Sequence, residues 1–332
     1  MGAVVAAVVA FTVTSVLGIW MIPFLRRLKY GQSIKEIGPV WHKAKQGTPV
    51  MGGLMFIVGI VLAVAVVLLF AGSFQFEMLE GGRKKVVYGL LMALMFGLIG
   101  FADDYIKVVK KRNLGLTAKQ KFFLQILAAV IFLALEYSSG KPETYMMLPF
   151  TAINIPLGIF YYPVSLFIIV GAVNAVNLTD GVDGLAASVT TVVAVALMLA
   201  SKIMFNTCFA AVSAALAGGC LGFLVWNFHP AKIFMGDTGS LFLGGLVCAI
   251  AFGIGAPLLL IPFGIIYICE VLSDIIQIIS FKSTGKRVFK MAPIHHHFEM
   301  SGWSEMKIVV VFTAVTLLFS AAGIAWLFLK FQ

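Results

Sequence analysis

The composition of this chain indicates an integral membrane protein. Of its 332 residues, 61% are hydrophobic and only 11% are charged, whereas a soluble domain carries about 25% charged residues. The formal net charge of +10 is spread over several segments that also contain acids. No nucleic-acid partner is therefore expected, because such proteins concentrate their basic residues in a patch or a recognition motif.

The apolar residues fall into separate runs of roughly 18 to 25 residues, the length of helices that cross a bilayer core. No polar stretch is long enough for a soluble domain. We therefore predict an all-α integral membrane protein in which residues 1–332 form a single membrane domain. A bundle of ten transmembrane helices is expected, approximately at residues 3–24, 49–71, 86–103, 120–136, 159–177, 184–200, 207–226, 240–256, 258–281 and 307–329.

The charges between these spans predict the orientation of the chain. Lys and Arg are retained on the cytoplasmic side of membrane proteins, and 18 of the 24 basic residues lie in the segments 25–48, 103–121, 226–239 and 281–307. Both termini are therefore expected to be extracytoplasmic. Ten of the 14 acids lie in or next to the predicted cytoplasmic segments, which also include the turn at 177–184, and all five histidines lie in the four basic segments. This distribution predicts a functional site on the cytoplasmic face.

The third predicted span ends in FADDYIK, where Asp103 and Asp104 are adjacent. On a continuous helix, Lys107 lies one turn from both acids, so a local salt bridge is one explanation. Two adjacent carboxylates nevertheless repel each other unless a cation is close, and carboxylate oxygens suit a divalent metal. The pair is a candidate metal or catalytic site.

The fifth span ends in NAVNLTDGVDG, in which Asn174, Asn177 and Asp180 recur every three positions. On a helix, Asn177 and Asp180 would share roughly one face, and Asp183 follows a glycine turn. We interpret the segment as a polar floor that hydrogen-bonds a base or a sugar. An Asx turn that caps the next helix is the alternative.

The segment WNFHPAKIFMGDTGS lies between the seventh and eighth spans. Asp237 falls where the eighth helix should begin, so one interpretation is an N-cap residue. The other is a phosphate site, in which the free N–H groups of the helix start receive the anion while the acid holds Mg²⁺.

The ninth span contains Glu270, Asp274 and Gln277 at i, i+4 and i+7. Acids inside a membrane usually face the bundle interior or a wet cavity, so this face is expected to line or support the site. The span, residues 258–281, would measure about 36 Å at about 1.5 Å per residue, which exceeds the thickness of the bilayer core. We expect it to tilt or kink and to open a lipid-facing groove that leads toward Asp103.

Three consecutive histidines follow in APIHHHFE, which is expected to be an extended loop. Adjacent residues of an extended segment point to opposite sides, so only His295 and His297 would share a ligand easily. No cysteine lies nearby to complete a structural zinc site. Imidazoles that donate to phosphate oxygens fit a basic cytoplasmic pocket better.

Together, FADDYIK, NLTDGVDGLA, WNFHPAKIFMGDTGS and APIHHHFE resemble the signature segments of the phospho-N-acetylmuramoyl-pentapeptide transferase family, and the resemblance covers nearly the whole chain. It implies an Mg²⁺-dependent phosphoglycosyl transferase of the bacterial cytoplasmic (inner) membrane. Such an enzyme transfers phospho-N-acetylmuramoyl-pentapeptide from UDP-N-acetylmuramoyl-pentapeptide to undecaprenyl phosphate, forming lipid I and UMP in peptidoglycan synthesis. The resemblance also implies a homodimer.

The resemblance further implies roles for individual residues. The catalytic residues would be Asp103, Asp104, Asp237 and His295, with Asp237 and Asp104 as metal ligands. Phe234 would stack on uracil, and the three lysines 107, 119 and 121 would bind the lipid phosphate. The full set of implied substrate-binding residues is Lys43, Thr48, Lys107, Lys119, Lys121, Asn177, Asp180, Gly181, Asp183, Asn227, Phe234, His296 and His297.

Two other functions are left open. A polyprenyl-phosphate N-acetylglucosamine-1-phosphate transferase of the same superfamily would share the acids and the Mg²⁺, although APIHHHFE favours muramoyl transfer. A cation-coupled transporter could use the intramembrane acids Glu270 and Asp274. Such transporters usually contain paired discontinuous helices in repeated halves, and this sequence gives no evidence of them.

Overall fold

The computed structural model describes residues 1–28, 45, 47–70, 82–109, 115–138, 140 and 144–332. Over these residues the chain is predominantly helical. Its helices, in chain order, are α1 (Gly2–Arg27), α2 (Gly53–Leu69), α3 (Gly82–Val109), α4 (Ala118–Ser138), α5 (Tyr161–Thr179), α6 (Leu185–Ile203), α7 (Thr207–Asn227), α8 (Gly236–Gly253), α9 (Leu260–Phe263), α10 (Ile265–Thr284), α11 (Ile294–Glu299) and α12 (Glu305–Lys330).

The lengths of these helices define a multi-pass membrane protein. Within the described residues, eight helices are long and apolar enough to cross a membrane, or nine if the bent segment containing α9 and α10 is one span. Helix α2 is a shorter apolar helix of 17 residues. The all-helical membrane class is thus confirmed, whereas ten crossings and the side on which the termini lie stay predictions.

One element was not predicted. Between α4 and α5, β1 (Tyr145–Met147) pairs antiparallel with β2 (Asn154–Pro156), with Met146 opposite Ile155. The intervening residues include Pro149 and Phe150, and Phe150 has a φ of +64°. Proline inside a helix removes a hydrogen bond and clashes with the preceding turn, so this apolar stretch forms a hairpin instead.

Helices α7 and α8 form the centre of the bundle. Their most apolar windows are 83% and 89% buried, whereas those of α1 and α4 are each 28% buried. Small residues allow such helices to approach closely. At Gly100 an added Cβ would lie 2.0 Å from the carbonyl oxygen of Asp237, so α3 and α8 touch within one turn of Asp103.

The ninth predicted span is broken rather than continuous. The segment Pro257–Phe263 meets α10 at an angle of 85°, with Gly264 at the junction. The predicted kink is therefore present. Its angle is larger than is needed to fit a helix of about 36 Å into the bilayer core. Beyond the bend, α10 buries Glu270 but leaves Ile275 and Ile279 exposed, so this helix presents an apolar surface.

Candidate active site

Three carboxylates from two helices meet where α8 begins. Asp103 and Asp104 come from the last turns of α3, and Asp237 lies in the first turn of α8. One oxygen from each carboxylate lies within 4.8 Å of the others. Asp103 and Asp104 are each only 3% exposed, whereas the Asp237 side chain is 18% exposed. Asp237 is therefore the most accessible of the three.

Asp104 binds the N-terminus of α8. Its Oδ2 accepts hydrogen bonds from the Thr238 N–H at 2.8 Å and the Thr238 hydroxyl at 2.6 Å, and its Oδ1 accepts from the Asp237 N–H at 3.2 Å. These N–H groups have no partner inside their own helix. Gly236 has a φ of +70°, and a Cβ there would lie 2.5 Å from Asp104 Oδ2, so the turn requires glycine.

Asp103 lies beside Asp104 but has different partners. Its Oδ1 accepts a hydrogen bond from the Leu116 N–H at 2.8 Å, and its Oδ2 forms an ion pair with Lys107 Nζ at 2.5 Å. The i,i+4 salt bridge considered from the sequence is therefore present. Lys107 also contacts Asp237. The salt bridge is therefore part of the candidate active site and does not stand as an alternative explanation to it.

Asp237 is held by an amide and two ammonium groups. The Asn177 amide donates to Oδ1 at 2.8 Å and to the Ser240 hydroxyl at 2.7 Å. Lys107 and Lys121 each place Nζ 2.9 Å from Oδ2. The N-cap interpretation of Asp237 is wrong, because Met235 occupies the N-cap of α8 and no side chain of that residue caps the helix. Asp104 supplies the capping carboxylate from α3.

This donor set fits a hard divalent cation. Carboxylate oxygens are the ligands that Mg²⁺ and Ca²⁺ prefer. Each of the three acids offers one such oxygen, and these oxygens lie within 4.8 Å of one another. Two ammonium groups already contact Asp237 Oδ2, so this oxygen is in an environment that accepts positive charge. The residues present thus form a site that could hold a metal, with Asp237 as its most exposed ligand.

The turn after α5 is tied to the loop before α8. Asn227 is 2% exposed, and its amide donates to the Ile233 carbonyl while its oxygen accepts from the Gly184 N–H. Asp183 Oδ2 accepts from the Ala231 N–H at 3.0 Å. The proposed Asx cap of α6 is wrong, because Gly184 is the N-cap and no side chain caps it.

A second ionic cluster surrounds Asp183. Lys45 Nζ lies 2.7 Å from Asp183 Oδ1 and 2.6 Å from Glu305 Oε2, and His229 Nδ1 lies 3.1 Å from Asp183 Oδ2. Asp183, His229 and Glu305 have the spacing of a metal site, but the ammonium of Lys45 already lies between the two acids. This cluster joins the segment before α2 to α12.

Asp180 is the C-cap residue of α5 and lies outside the spanning helices. Burial, together with the negative charges of Asp237, Asp104 and Asp183, raises the pKa of its carboxyl well above the ordinary value. This carboxyl group has no hydrogen bond or ion pair with another described residue. The Asp180 carboxyl therefore keeps its proton to a higher pH than an ordinary Asp, and it lies beside the acidic cluster.

Thr48 and Phe234 are brought together by the backbone. The Phe234 N–H donates to the Pro49 carbonyl at 2.9 Å, and the Gly52 N–H donates to the Phe234 carbonyl at 2.8 Å. Both Thr48 and Phe234 are partly exposed. The strand-like pairing places Thr48 and Phe234 close together, three residues before Asp237 in the case of Phe234.

The histidine segment differs from its prediction. Ile294–Glu299 is the short helix α11 rather than an extended loop, so the three imidazoles point in three directions and contact three different groups. His295 contacts Glu270, His296 contacts Glu299, and His297 Nδ1 accepts from the Lys290 N–H. The Nδ1 atoms of His295 and His297 therefore have different partners.

The polar stripe on α10 supports this segment. Glu270 Oε2 lies 3.0 Å from His295 Nδ1. Gln277 accepts from the N–H groups of Val288 and Phe289 and donates to the Phe289 carbonyl. The stripe therefore holds the loop between α10 and α11 in place, as the sequence analysis expected of this face.

Three predicted residues stay outside this network. Lys119 is exposed and has no ion pair within the described part of the chain. Asn174 pairs with Gln125 on α4 through two amide hydrogen bonds of 2.8 and 3.3 Å, so it joins two helices rather than entering the polar floor. Lys43 lies outside the described residues.

Several residues of the site were not identified from the sequence. Thr238 and Ser240 are buried partners of Asp104 and Asn177, and their only sequence signal is their position beside Asp237. Lys45 and Glu305 are separated by 260 residues, and no local pattern relates them. A charge pair so far apart in the sequence can be recognised only from the packing of the helices.

Comparison with known proteins agrees with this arrangement. The sequence pattern of the glycosyl transferase family 4 matches residues 86–255, a range that contains all three carboxylates. The helical membrane fold and the acidic site thus define a membrane-embedded transferase of this class.

The particular family follows from full-length relatives named phospho-N-acetylmuramoyl-pentapeptide-transferase. The relative from Halalkalibacterium halodurans is 49% identical over 96% of this chain and 95% of its own length. The relative from Heliobacterium modesticaldum is 48% identical over 96% of each chain, and that from Desulforamulus reducens is 47% identical over 98% of this chain and 97% of its own. The chain belongs to the phospho-N-acetylmuramoyl-pentapeptide transferase family. This membership supports neither the N-acetylglucosamine-1-phosphate transferase nor the transporter.

Proposed function

We propose that the protein transfers phospho-N-acetylmuramoyl-pentapeptide from UDP-N-acetylmuramoyl-pentapeptide to undecaprenyl phosphate, forming lipid I and UMP. The observation that carries this proposal is the contact of Asp237 with both Lys107 and Lys121 beside two further carboxylates. Acids that hold a divalent cation next to cationic side chains are the recurring components of phosphoryl transfer. Family membership supplies the identity of the two substrates.

The metal is proposed to be Mg²⁺, with Asp237 and Asp104 as ligands and Asp103 beside them. The Asp237 carboxylate is the main ligand, because its Oδ2 already faces two cationic groups. Asp104 has only Oδ1 partly available, since Oδ2 accepts two hydrogen bonds from Thr238. A bound Mg²⁺ would neutralise the pyrophosphate and stabilise UMP as the leaving group.

The transfer is proposed to be a single in-line displacement. A lipid phosphate monoester has a second pKa of about 6 and is mostly a dianion at neutral pH, so it can attack the sugar-bearing phosphorus directly. A P–O bond forms to that phosphorus, the bond to the bridging oxygen breaks, and its electron pair leaves with UMP. Asp103 orients the attacking phosphate or accepts its remaining proton, and Lys107, Lys119 and Lys121 bind it.

The alternative is a double displacement through a phosphoryl group on Asp103. One in-line step inverts the configuration at the transferred phosphorus, whereas two steps retain it. A substrate with a chiral sugar-bearing phosphorus separates the two routes. Inversion is expected, and either retention or a trapped phosphoryl-Asp103 that proceeds to product would contradict the single displacement.

The donor nucleotide is proposed to bind between the turn after α5 and the loop before α8. Phe234 stacks on uracil next to Thr48, and the proposal is supported by their backbone pairing through Pro49. Further contacts are proposed from residues of these segments, of the segment before α2 and of α11, namely Lys43, Asn177, Asp180, Gly181, Asp183, Asn227, His295, His296 and His297. Asn227 acts by holding the two segments together, since its amide is already bonded internally.

The acceptor and the membrane define the remaining proposals. The protein is proposed to lie in the bacterial cytoplasmic membrane as one domain of ten spans, with both termini outside and the site facing the cytoplasm. The distribution of basic residues supports this orientation. The undecaprenyl chain is proposed to follow the exposed apolar surface of α10, and the protein is proposed to be a homodimer.

The function is tested by the UDP-sugar that the purified protein consumes. We expect UMP release and a lipid-linked product from UDP-N-acetylmuramoyl-pentapeptide with undecaprenyl phosphate and Mg²⁺, and neither from UDP-N-acetylglucosamine. The Asp237→Ala variant serves as the inactive control. Preferential consumption of UDP-N-acetylglucosamine would contradict the proposal.

A further inference from the structure

A buried acid and a buried histidine form a pair, and the proposed reaction has so far given no role to the acid. Glu270 on α10 and His295 on α11 are 0% and 1% exposed, and Glu270 Oε2 lies 3.0 Å from His295 Nδ1. An ionised carboxylate only accepts hydrogen bonds, so Nδ1 carries a hydrogen in this pair. The other ring nitrogen, Nε2, is then directed away from Glu270.

The second ring nitrogen is buried without a protein partner. Neither His295 Nε2 nor Glu270 Oε1 has a hydrogen-bond partner within the described residues, although both atoms are buried. Leaving a buried polar atom unpaired costs about 1–3 kcal/mol. Such a cost is explained if Nε2 is paired only when a substrate is bound.

The position of Nε2 indicates where that substrate group would lie. A Cβ added to Gly181 would be 2.1 Å from Nε2, so the ring abuts the turn between Asp180 and Asp183. Gly181 is therefore required by the close approach of the imidazole. The same turn is part of the proposed donor-binding segment.

We propose that Glu270 is a positioning residue for the transfer reaction, which fixes His295 with Nδ1 protonated and presents Nε2 to a phosphate oxygen of the UDP-linked substrate. This inference rests on the proposed function. When Nε2 carries a hydrogen and donates to the phosphate, Glu270 supplies the negative charge that a buried imidazolium needs. The Glu270–His295 pair resembles the Asp–His pair of a serine protease, in which the carboxylate accepts from Nδ1–H and fixes the orientation of the ring.

The geometry distinguishes this pair from the other two histidine contacts. His296 has its own acid, Glu299, one turn away on the same short helix at 2.6 Å, and His297 accepts a backbone N–H. His295 is joined to a different helix, α10, through Glu270. A change at Glu270 therefore alters the ring of His295 without removing the partners of its neighbours.

The experiment compares Glu270→Gln and Glu270→Leu in steady-state kinetics with both substrates. The Gln carbonyl still accepts from Nδ1–H but carries no charge, and Leu removes the acceptor. We expect kcat to fall about 10-fold for Gln and on the order of 100-fold for Leu, the range found when the carboxylate behind a metal-ligating histidine is replaced. KM for undecaprenyl phosphate should change less than about 3-fold, whereas KM for the UDP-linked substrate should rise, because the lost interaction is with that substrate.

A double variant separates positioning from a merely structural role. In a His295→Gln background, Glu270→Leu should cause no further loss of kcat, since residues that act as a unit are not additive. The ¹⁵N resonances of the His295 ring, assigned by their absence in His295→Gln, should show protonated Nδ1 in the wild type and a tautomer change in Glu270→Leu. Cys269→Ser, at an exposed neighbouring position on α10, is the control that should keep both properties.

Wild-type kcat in both Glu270 variants, or losses that multiply in the double variant, would overturn the inference. If Glu270→Leu does not fold, the Gln variant and the ring resonances decide alone. Failure of the proposed function is distinguishable, because the wild-type protein would then release no UMP from the muramoyl substrate.

Discussion

Asp104 and Thr238 are 134 residues apart in the chain, yet the Asp104 carboxylate binds both the N–H and the hydroxyl of Thr238, at 2.8 and 2.6 Å. The contact is fully buried and joins the end of α3 to the start of α8. Because Asp237 immediately precedes Thr238, this contact sets the position of the most exposed carboxylate of the site. Asp104 thus has a structural task besides its proposed metal ligation.

Replacement of Thr238 tests that task without touching an acid. Thr238→Val keeps the shape but removes a hydrogen bond to a charged group, and such bonds contribute about 1.5–3 kcal/mol. We expect a lower unfolding temperature and a kcat about 10-fold below the wild type, because Asp237 shifts. Thr238→Ser keeps the hydroxyl and is the matched control. Wild-type kcat and unfolding temperature in Thr238→Val would show that the contact does not position Asp237.

Replacement of Asp237 tests the metal assignment. Asp237→Ala should lower turnover by at least about 1000-fold, in line with losses of key charged groups in transition-state stabilisation, and should abolish the response to Mg²⁺. The folded protein should remain in the membrane fraction, since Asp104 continues to bind the Thr238 N–H. A variant with ordinary activity would contradict a role as metal ligand.

The two lysines at Asp237 lead to a prediction about metal affinity. Lys107 and Lys121 each contact Asp237 Oδ2 at 2.9 Å, so an incoming divalent cation competes with their positive charge. Two charges about 4 Å apart in water interact with about 1 kcal/mol, so Lys121→Gln should tighten Mn²⁺ binding roughly 5-fold in electron paramagnetic resonance titrations. Turnover should nevertheless fall, because the lipid phosphate loses a cation.

Lys202→Gln is the control for this experiment, because Lys202 is exposed at the end of α6, on the side predicted to be extracytoplasmic. Its metal affinity and turnover should match the wild type. Weaker Mn²⁺ binding in Lys121→Gln would mean that the lysine supports the metal-bound state, contrary to the prediction.

Asp180 predicts a pH-dependent stability. Burial and three neighbouring acids raise the pKa of its carboxyl in the folded protein, so the unfolded chain releases this proton first as the pH rises. Stability is therefore lost between about pH 4, the unfolded value, and the higher folded pKa. Asp180→Asn never ionises, and in EDTA its unfolding temperature should exceed that of the wild type by roughly 2–4 °C at pH 7.5.

The advantage of Asp180→Asn should disappear as the pH is lowered below about 4, where Asp180 becomes protonated in both the folded and the unfolded states. Unfolding temperatures at several pH values, without metal or substrate, measure this difference. A constant difference over the whole pH range would exclude Asp180 as its cause.

The exposed face of α10 predicts the path of the acceptor lipid. A photo-cross-linking residue at Ile279, which is 61% exposed, should capture undecaprenyl phosphate, and unlabelled lipid should compete for it. The control position is Leu318 on α12, which is similarly exposed at 68% but lies on a different helix. Equal capture at the two positions would mean that α10 offers only a general lipid-facing surface.

Much of the site was predictable because its residues lie in short, chemically dense segments. Asp103, Asp104 and Asp237 were singled out from their neighbours along the chain, and the structure brings all three together. The errors concern local conformation. The stretch IHHHFE forms a helix, and Asp237 does not cap α8, because the partners that decide these features, Glu270 and Asp104, lie elsewhere in the chain.

The sequence by itself determined that the protein is a helical membrane protein, where most of its helices lie and which segments carry chemistry. Hydropathy, charge and motif spacing are properties of neighbouring residues, so they can be read before any fold is known. Only the tertiary structure decided that Asp104 caps a distant helix, that Lys45 joins Asp183 to Glu305, and that Glu270 orients His295. These contacts depend on how close the helices approach, and that distance is set by packing such as the close approach of the Gly100 backbone to the Asp237 carbonyl.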